Sequence, residues 1–318
     1  MSTPKNILTY IKTENLVPCT WEEKLKNLIS WFTGILDSEG SLYLSKKISK
    51  IKKQPSYGLH LRIEMTDEAT INKLSLILNV MKIKHGIYGR ERKEINQKNT
   101  RKLCIESKED IEKILYICLP YVITKRHQIL LGLEFLEKLK ISGSGFHLEP
   151  YFNFFKIVNK KGKSDYKFKP IEYNLLHYPY YWSWLSGFFD GDGYLGLIKI
   201  KRKKSTKLVN VIEITHLDTL NFIKKIYKKN KISWNFSKRM GRAKEHKDSF
   251  TLRVENLSNL ELFLKEISKY CFTKAMQVSV GTQYIKYNFL QTTETDPNFD
   301  KNNNEFLKSL AILNKRGK

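Results

Sequence analysis

Glu39 and Asp192 stand in the same setting at two places in this 318-residue chain. Glu39 comes near the end of Trp31-Phe-Thr-Gly-Ile-Leu-Asp-Ser-Glu-Gly40, and Asp192 near the end of Trp184-Leu-Ser-Gly-Phe-Phe-Asp-Gly-Asp-Gly193. Trp, Gly, Asp, the acid and the final Gly recur at one shift (184 − 31 = 153). A carboxylate at the C-terminal end of a helix feels the negative end of the macrodipole, and two carboxylates brought together repel. Such a pair is stable only when hydrated, protonated or occupied by cations. Oxygen ligands under strong negative potential suit Mg²⁺, which keeps several waters and shares its ligands with phosphate oxygens. A single D-x-[DE]-G is in most proteins a solvated surface turn, whereas the same string on two matching elements is a repeated chemical unit.

The elements that must hold these acids follow from the flanking pattern. Leu25, Leu28, Ile29, Phe32, Ile35 and Leu36 recur at helical spacing, so the first copy reads as the end of a buried helix. Gly40 and Gly193 are expected to stop their helices in the left-handed conformation that glycine tolerates best. Gly34 and Ser38 are one turn apart, as are Gly187 and Gly191, leaving bare strips that let two backbones approach closely. Two such helices are expected to pack together and to deliver Glu39 and Asp192 to the same end of a shared seam.

After Gly40 the pattern changes to alternation. Leu42, Leu44 and Ile48 are expected inward, with Ser41, Tyr43, Ser45 and Lys47 on an open polar face. Leu59, Leu61, Ile63 and Met65 repeat this, with His60, Arg62, Glu64 and Thr66 outward. Helical spacing then covers Asp67 to Ile83, with Thr66 or Asp67 as N-cap. A hairpin over 84–93 and 100–107 turns Tyr88, Arg90, Arg92, Lys102 and Cys104 outward, although the apolar neighbours of Cys104 read equally as core. Helices over 108–119, stopped by Pro120, and over 124–140 close the unit. The second half repeats these segments: Ile63-Glu-Met-Thr66 matches Ile212-Glu-Ile-Thr215, and Tyr121-Val-Ile-Thr-Lys-Arg-His-Gln128 matches Tyr270-Cys-Phe-Thr-Lys-Ala-Met-Gln277. Here the shift is 149 (274 − 125 = 149), so the four-residue difference falls in the turn between the first two strands. The expected fold is α+β, two αββαββα repeats with antiparallel sheets. Residues 1–140 form the first half, 141–178 a linker, 179–292 the second half and 293–318 a tail ending in a short docking helix.

Lys+Arg 57 against Asp+Glu 32 gives a net charge of +25 and favours a polyanionic partner. Four cysteines without a C-x-x-C pair argue against a zinc ribbon or disulfide framework and for a reducing, intracellular compartment. No apolar run reaches the length of a membrane span, so no membrane partner is expected, and Met1-Ser-Thr-Pro-Lys5 lacks the apolar core of a signal peptide.

On Phe32-Thr-Gly-Ile-Leu-Asp-Ser-Glu-Gly40 and Leu185-Ser-Gly-Phe-Phe-Asp-Gly-Asp-Gly193 the chain resembles the LAGLIDADG homing endonucleases in their single-chain, two-motif form. The resemblance implies a monomer that makes a double-strand break in a long, pseudo-palindromic duplex DNA target. It also implies that Glu39 and Asp192 hold two or three Mg²⁺ ions, helped by the main-chain carbonyls of Ser38 and Gly191. Lys125 and Lys274, in the repeated Thr-Lys-x-x-Gln, match a lysine that in similar enzymes lies beside the scissile phosphate. Thr124 and Thr273 are read as N-caps, and Asp37 and Asp190 as structural. Where similar enzymes often carry Gln just after the second strand, this chain has Asp67 and His216, so the two cleavage sites are expected to be electrically unequal.

Two sheets with basic open faces would make a DNA-binding saddle, alternate side chains reaching base edges in the major groove. In the second half Leu195 and Leu197 are expected inward, and Lys201, Arg202, Glu213, Ser237, Arg239 and Arg253 outward. Two other readings stay open: an intron-encoded RNA maturase, alone or as a second activity with host intron RNA as partner, and a non-catalytic DNA-binding protein of this fold. The Lys-, Asn- and Ile-rich composition points to an organellar (mitochondrial or chloroplast) or phage-like origin.

Overall fold

A computed structural model describes residues 21–48, 53–90, 99–159, 178–200, 205–241, 248–290 and 299–314. They divide into two compact units, one over 21–159 and the other over 178–314. Unit 1 runs α1 (Trp21–Glu39), β1 (Gly40–Ile48), β2 (Pro55–Met65), α2 (Glu68–Val80), β3 (Gly86–Arg90), β4 (Thr100–Ile105), α3 (Lys108–Cys118), α4 (Arg126–Ser142) and α5 (Glu149–Val158). Unit 2 repeats the order with α6 (Tyr181–Asp192), β5 (Gly193–Ile200), β6 (Ser205–Ile214), α7 (Leu217–Lys229), β7 (Asn235–Arg239), β8 (Ser249–Val254), α8 (Leu257–Ile267), α9 (Ala275–Leu290) and α10 (Phe299–Leu313). Each holds one antiparallel four-stranded sheet, ordered β1-β2-β4-β3 and β5-β6-β8-β7.

Alternation along the strands decides what each sheet covers. Leu42, Leu44, Leu59, Leu61, Ile63, Leu103 and Ile105 are buried on one face of the first sheet. Helices α2, α3 and α4 lie over the strands of that sheet. Packing of α4 is tight at Gly132, where a Cβ would stand 3.2 Å from Leu115, 3.3 Å from Leu59 and 3.4 Å from Leu42. Ile48 departs from expectation: it has the parity of Leu42 and Leu44 but is 65% exposed, because the strand outruns its core there. Cys104 reconciles its two readings. It pairs with Arg62 across the open face, yet it is only 4% exposed.

The helix starts carry their own caps. Asp67 accepts the Thr70 N–H at 2.7 Å, Ser107 the Asp110 N–H at 3.3 Å and Asn256 the Asn259 N–H at 3.1 Å. The helix ends at the repeated motif differ from expectation. Gly193 is extended (φ −75°, ψ 154°), and Gly143 is the one glycine with left-handed φ among the described residues. Gly40 and Gly193 are the first strand residues after α1 and α6, with no turn between. They are required by contact rather than by φ. A Cβ at 40 would lie 2.4 Å from the Leu36 carbonyl oxygen, and one at 193 would lie 2.0 Å from the Phe189 ring.

The last helix of each unit extends the repeat, and α10 is the docking helix expected in the tail. Within the stretch expected as linker, α5 packs on β1: Phe155 is 2% exposed, and Lys46 reaches Glu149 at 2.5 Å. In unit 2, α10 packs on β5 and α9, with Leu310 at 1% and Tyr284 edge-on to Phe306. Both helices end on an asparagine with one job. Asn159 Nδ2 donates to the Leu42 carbonyl and Asn314 Nδ2 to the Leu195 carbonyl, each at 2.7 Å.

Candidate functional site

The last turn of α1 and that of α6 are bound to the start of a later helix by an aspartate–lysine lock. Asp37 is 2% exposed, and its carboxylate accepts the main-chain N–H groups of Ile123 at 2.8 Å and Lys125 at 2.9 Å. Lys125 returns its ammonium to the Asp37 carbonyl at 2.6 Å. Asp190, 1% exposed, accepts the N–H groups of Phe272 at 2.7 Å and Lys274 at 2.8 Å, together with the Cys271 thiol at 2.8 Å. Lys274 Nζ reaches the carbonyls of Phe189, Asp190 and Gly191 at 2.8, 2.5 and 2.9 Å. The cap position of α4 falls on Lys125, without a side-chain cap bond. The main-chain N–H groups that lead into α4 and α9 are thus held by an aspartate from an earlier helix of the same unit.

This arrangement fixes the backbone that carries the two acids. Glu39 ends α1 half-buried, and Asp192 ends α6 exposed. Ser38 turns its hydroxyl back onto the Gly34 and Ile35 carbonyls at 3.2 and 3.1 Å. Carboxylates beside helix-terminal carbonyls are hard oxygen donors, and such a set fits Mg²⁺ better than a thiophilic metal. Among the described residues no three His, Cys, Asp or Glu side chains form a metal cluster. Any cation would thus depend on carboxylate, carbonyl and water oxygens. The Gly191 carbonyl already accepts Lys274, so one of its two lone pairs is occupied by an internal cation.

The open face of the first sheet gathers the outward residues of unit 1. Register places Ser41 beside Arg62, Tyr43 beside His60, Ser45 beside Gly58, Lys47 beside Ser56, and Lys102 between Glu64 and Tyr88. At its centre the groups are stacked: Tyr43 lies on His60 (5.2 Å, 20°), and the Arg62 guanidinium lies 4.7 Å over Tyr43. Ser45 Oγ is 2.8 Å from His60 Nε2, and Glu106 lies 3.4 Å from His60 Nδ1. Burial holds His60 below the ordinary imidazole range and raises the Tyr43 phenol and the Cys104 thiol. Glu64 is tied to Thr100 at 2.6 Å and Lys102 at 3.9 Å. Asp67 is the α2 cap, one of the two residues expected there. Tyr88 is 57% exposed, and Arg90 ends β3. Arg92, Lys201 and Arg202 lie outside the described residues.

The second sheet presents a different face. Arg253 shares a row with Tyr194, Val211 and Asn235, and Glu213 with Thr251 and Ser237; Arg239 pairs Ser249 at the end of β7. Glu213, Ser237, Arg239 and Arg253 are exposed as expected. Lys207 meets Glu255 at 2.7 Å and holds its carboxyl below the usual range. His216 occupies the α7 cap position, with Nδ1 3.3 Å from Thr219 Oγ1. It stands where Asp67 stands in unit 1, so the two halves do differ in charge at this point. Leu195 is fully buried, Leu197 is half-buried, and Tyr194 and Ile198 are left outward. Among the described residues no helix is long and apolar enough to cross a membrane.

No protein-family model matches the sequence, and no curated protein matches it. Solved structures do. The I-LtrWI LAGLIDADG homing endonuclease bound to target DNA superposes with a TM-score of 0.70 at 15% identity, covering 92% of this chain and 100% of that one. The I-SmaMI LAGLIDADG homing endonuclease bound to cleaved DNA gives 0.69 at 19% identity, covering 90% and 97%. The LAGLIDADG homing endonuclease I-GzeII in complex with its DNA target gives 0.67 at 13% identity, covering 88% and 97%. The fold of this chain is that of the two-motif LAGLIDADG homing endonucleases.

Proposed function

We propose that the chain is a site-specific endonuclease that breaks both strands of a long duplex DNA target by Mg²⁺-dependent phosphodiester hydrolysis. One observation carries the reading. An acid at the end of a motif helix, a buried aspartate two residues before it, and a lysine locked to that helix end occur together once in each unit. Each constellation belongs to a unit whose four-stranded sheet has a polar, cation-bearing open face. The solved neighbours that share the fold are described as bound to DNA, one of them to cleaved DNA.

In this reading Glu39 and Asp192 are the carboxylates that hold the ions, one per unit, with the Ser38 and Gly191 carbonyls beside them. The ions supply activation of water and stabilisation of charge on the phosphate. Asp37 and Asp190 fix the helix ends. Lys125 and Lys274 hold positive charge close to the reacting phosphates without leaving those helix ends. The sheets bind the duplex through the major groove. The protein acts as a monomer, because one chain supplies both acids.

The test is selection from a randomised duplex library with Mg²⁺, followed by cleavage assays of Glu39→Gln and Asp192→Asn on the selected target. Each variant is expected to bind the target and to make no double-strand break. Normal cutting by either variant, or the absence of any enriched duplex, overturns the proposal.

A further inference from the structure

The two sheets offer different chemistry at matching positions. Tyr194 and Ile198 project from the open face of β5 with 42% and 37% exposure, while Leu195 between them is fully buried. Their counterparts in the repeat are Ser41 and Ser45. On the neighbouring strand, Val209 and Val211 stand where unit 1 has His60 and Arg62. Unit 1 thus presents hydroxyl, imidazole and guanidinium at its centre. Unit 2 presents the Tyr194 ring and Ile198 there, over a buried Val209 and a half-buried Val211, with Lys207 beside Ile198 and tied to Glu255.

That ring lies along the sheet. A Cβ at Gly196 would stand 2.3 Å from the Tyr194 hydroxyl oxygen and 2.6 Å from its ring carbon Cζ, so Tyr194 crosses Gly196 and leans toward Ile198. The absence of a side chain at 196 makes room for this, and the outcome is a strip along β5 made of the Tyr194 ring and Ile198, with the phenol oxygen over Gly196 between them. Polar edges do not suit such a strip. In the major groove guanine, cytosine and adenine present donors and acceptors, and only thymine adds a methyl group. A polar edge pressed on carbon loses water and gains no partner, whereas a methyl buried there gains. The same face carries Arg253, in the row of Tyr194 and Val211, and the exposed Arg239, and cations flanking an apolar strip suit a polyanion.

We propose that unit 2 reads its part of the target through thymine methyl groups, received by Tyr194 and Ile198, while unit 1 reads by hydrogen bonding. The proposal rests on the DNA-binding reading above. Four residues along a strand span about 13 Å. At about 3.4 Å per base pair, and with Tyr194 leaning toward Ile198, the two methyl contacts fall two to four base pairs apart.

The experiment uses the full chain and its selected target, with binding measured in Ca²⁺ or EDTA so that cutting does not interfere. Repeating the selection with Ile198→Ser identifies the half of the target met by unit 2, as the half whose sequence changes. Deoxyuridine then replaces thymine in one half at a time, which removes the methyl and leaves pairing intact. In the unit 2 half each contacted methyl is expected to be worth about fourfold in affinity. In the other half the same exchange is expected to stay within about twofold. Ile198→Ser should abolish the response at one position and keep it at the other. Binding that ignores deoxyuridine in the unit 2 half, equal losses in both halves, or an unchanged selection with Ile198→Ser overturns the inference and leaves the nuclease reading standing. Failure to enrich any duplex removes both.

Discussion

Asp190 and Lys274 are bonded in both directions: the Lys274 N–H donates to the Asp190 carboxylate at 2.8 Å, and its ammonium donates to the Asp190 carbonyl at 2.5 Å. Asp37 and Lys125 form the same reciprocal pair at 2.9 and 2.6 Å. A carboxylate can accept from two converging N–H groups, but an amide turns one of its two positions into a donor. Asp190→Asn, and likewise Asp37→Asn, is therefore expected to lose about 2–3 kcal/mol, the usual cost of breaking hydrogen bonds to a buried charge. Urea unfolding measures it. A loss below about half a kcal/mol would mean that the carboxylate does not hold the helix ends together.

The ammonium side of the lock separates charge from shape. Lys274 Nζ fits among three converging carbonyls at 2.8, 2.5 and 2.9 Å, a site made for a compact charge. A planar guanidinium cannot satisfy all three, so Lys274→Arg is expected to rescue little of what Lys274→Met loses. On the proposed function, each variant cuts on the order of 10²–10³-fold more slowly and binds target within about threefold of the parent. Single-turnover cleavage and metal-free binding separate the two quantities. Full activity of Lys274→Arg would show that charge alone matters and that the three-carbonyl fit does not.

Much of this was legible in the sequence because the repeat is written in residues with strong local physics. The Trp-x-x-Gly-x-x-Asp strings mark the two helices, and alternation gives β1 and β2 the correct inward faces except at Ile48. Pro120 marked the end of α3. The failures have physical causes. Gly40 was read through φ, but the requirement is contact with Leu36, and spacing along a chain does not report contact across a helix end. The bonds that Asp37 and Asp190 make to Ile123 and Phe272, 86 and 82 residues away, leave no mark in local spacing. The docking helix expected in the tail is α10, whereas α5 lies in the expected linker because its apolar residues differ in kind from those of α10. Yet Tyr151, Phe155 and Asn159 match Phe306, Leu310 and Asn314 at one shift (314 − 159 = 155), a pattern that was available.

Cys271 tests the polar surroundings of Asp190. Burial, together with the Asp190 carboxylate beside it, pushes this thiol well above its ordinary range, and its Sγ donates to Oδ1 at 2.8 Å. Unit 1 has Val122 at the matching position. Cys271→Ser keeps a donor and is expected to change stability by less than about 1 kcal/mol, whereas Cys271→Val strips it from a buried charge and costs about 1.5–3 kcal/mol. Native protein at pH 8 is expected to leave Cys271 unlabelled by iodoacetamide, and urea to expose it. Prompt labelling of the folded protein at that residue, read by mass spectrometry, would contradict a thiol held on the Asp190 carboxylate.

His60 makes stability depend on pH with a definite sign. Burial is the largest cause of its lowered pKa; Glu106 opposes this, while Arg62 and Lys47 reinforce it. The unfolded chain titrates His near 6.5, about the ordinary value. As pH falls through that point, the unfolded state takes up a proton that the folded state resists, so folding loses stability until the folded His60 titrates in turn. Between pH 7.5 and 5.5 the parent should lose more stability than His60→Gln. A flat difference between the two would mean that folding leaves the His60 pKa unmoved, and one that grows toward acid pH in the parent's favour would mean that folding raises it; either contradicts the burial.

Gly40 and Gly193 close the argument from contact. Both helices pass straight into strands, so the α-carbon of the glycine faces the last helical turn. An added methyl at 40 meets the Leu36 carbonyl oxygen at 2.4 Å, main chain that cannot rotate away, and the Leu36 Cδ1 at 2.5 Å. At 193 it meets the Phe189 ring at 2.0 Å, and that ring is itself packed edge-on to Phe263 at 5.7 Å. The φ of −75° at Gly193 is open to alanine, so backbone strain does not enter. What remains is overpacking, worth about 1–3 kcal/mol per site and upward where main chain must move. Gly40→Ala is therefore expected to destabilise more than Gly193→Ala, whose obstacle is a side chain. The same shift would displace Glu39, which immediately precedes the glycine, so cleavage should fall further than DNA binding. Comparing urea midpoints and cutting rates of the two variants decides it. Equal stability to the parent in Gly40→Ala would refute contact as the reason that glycine stands there.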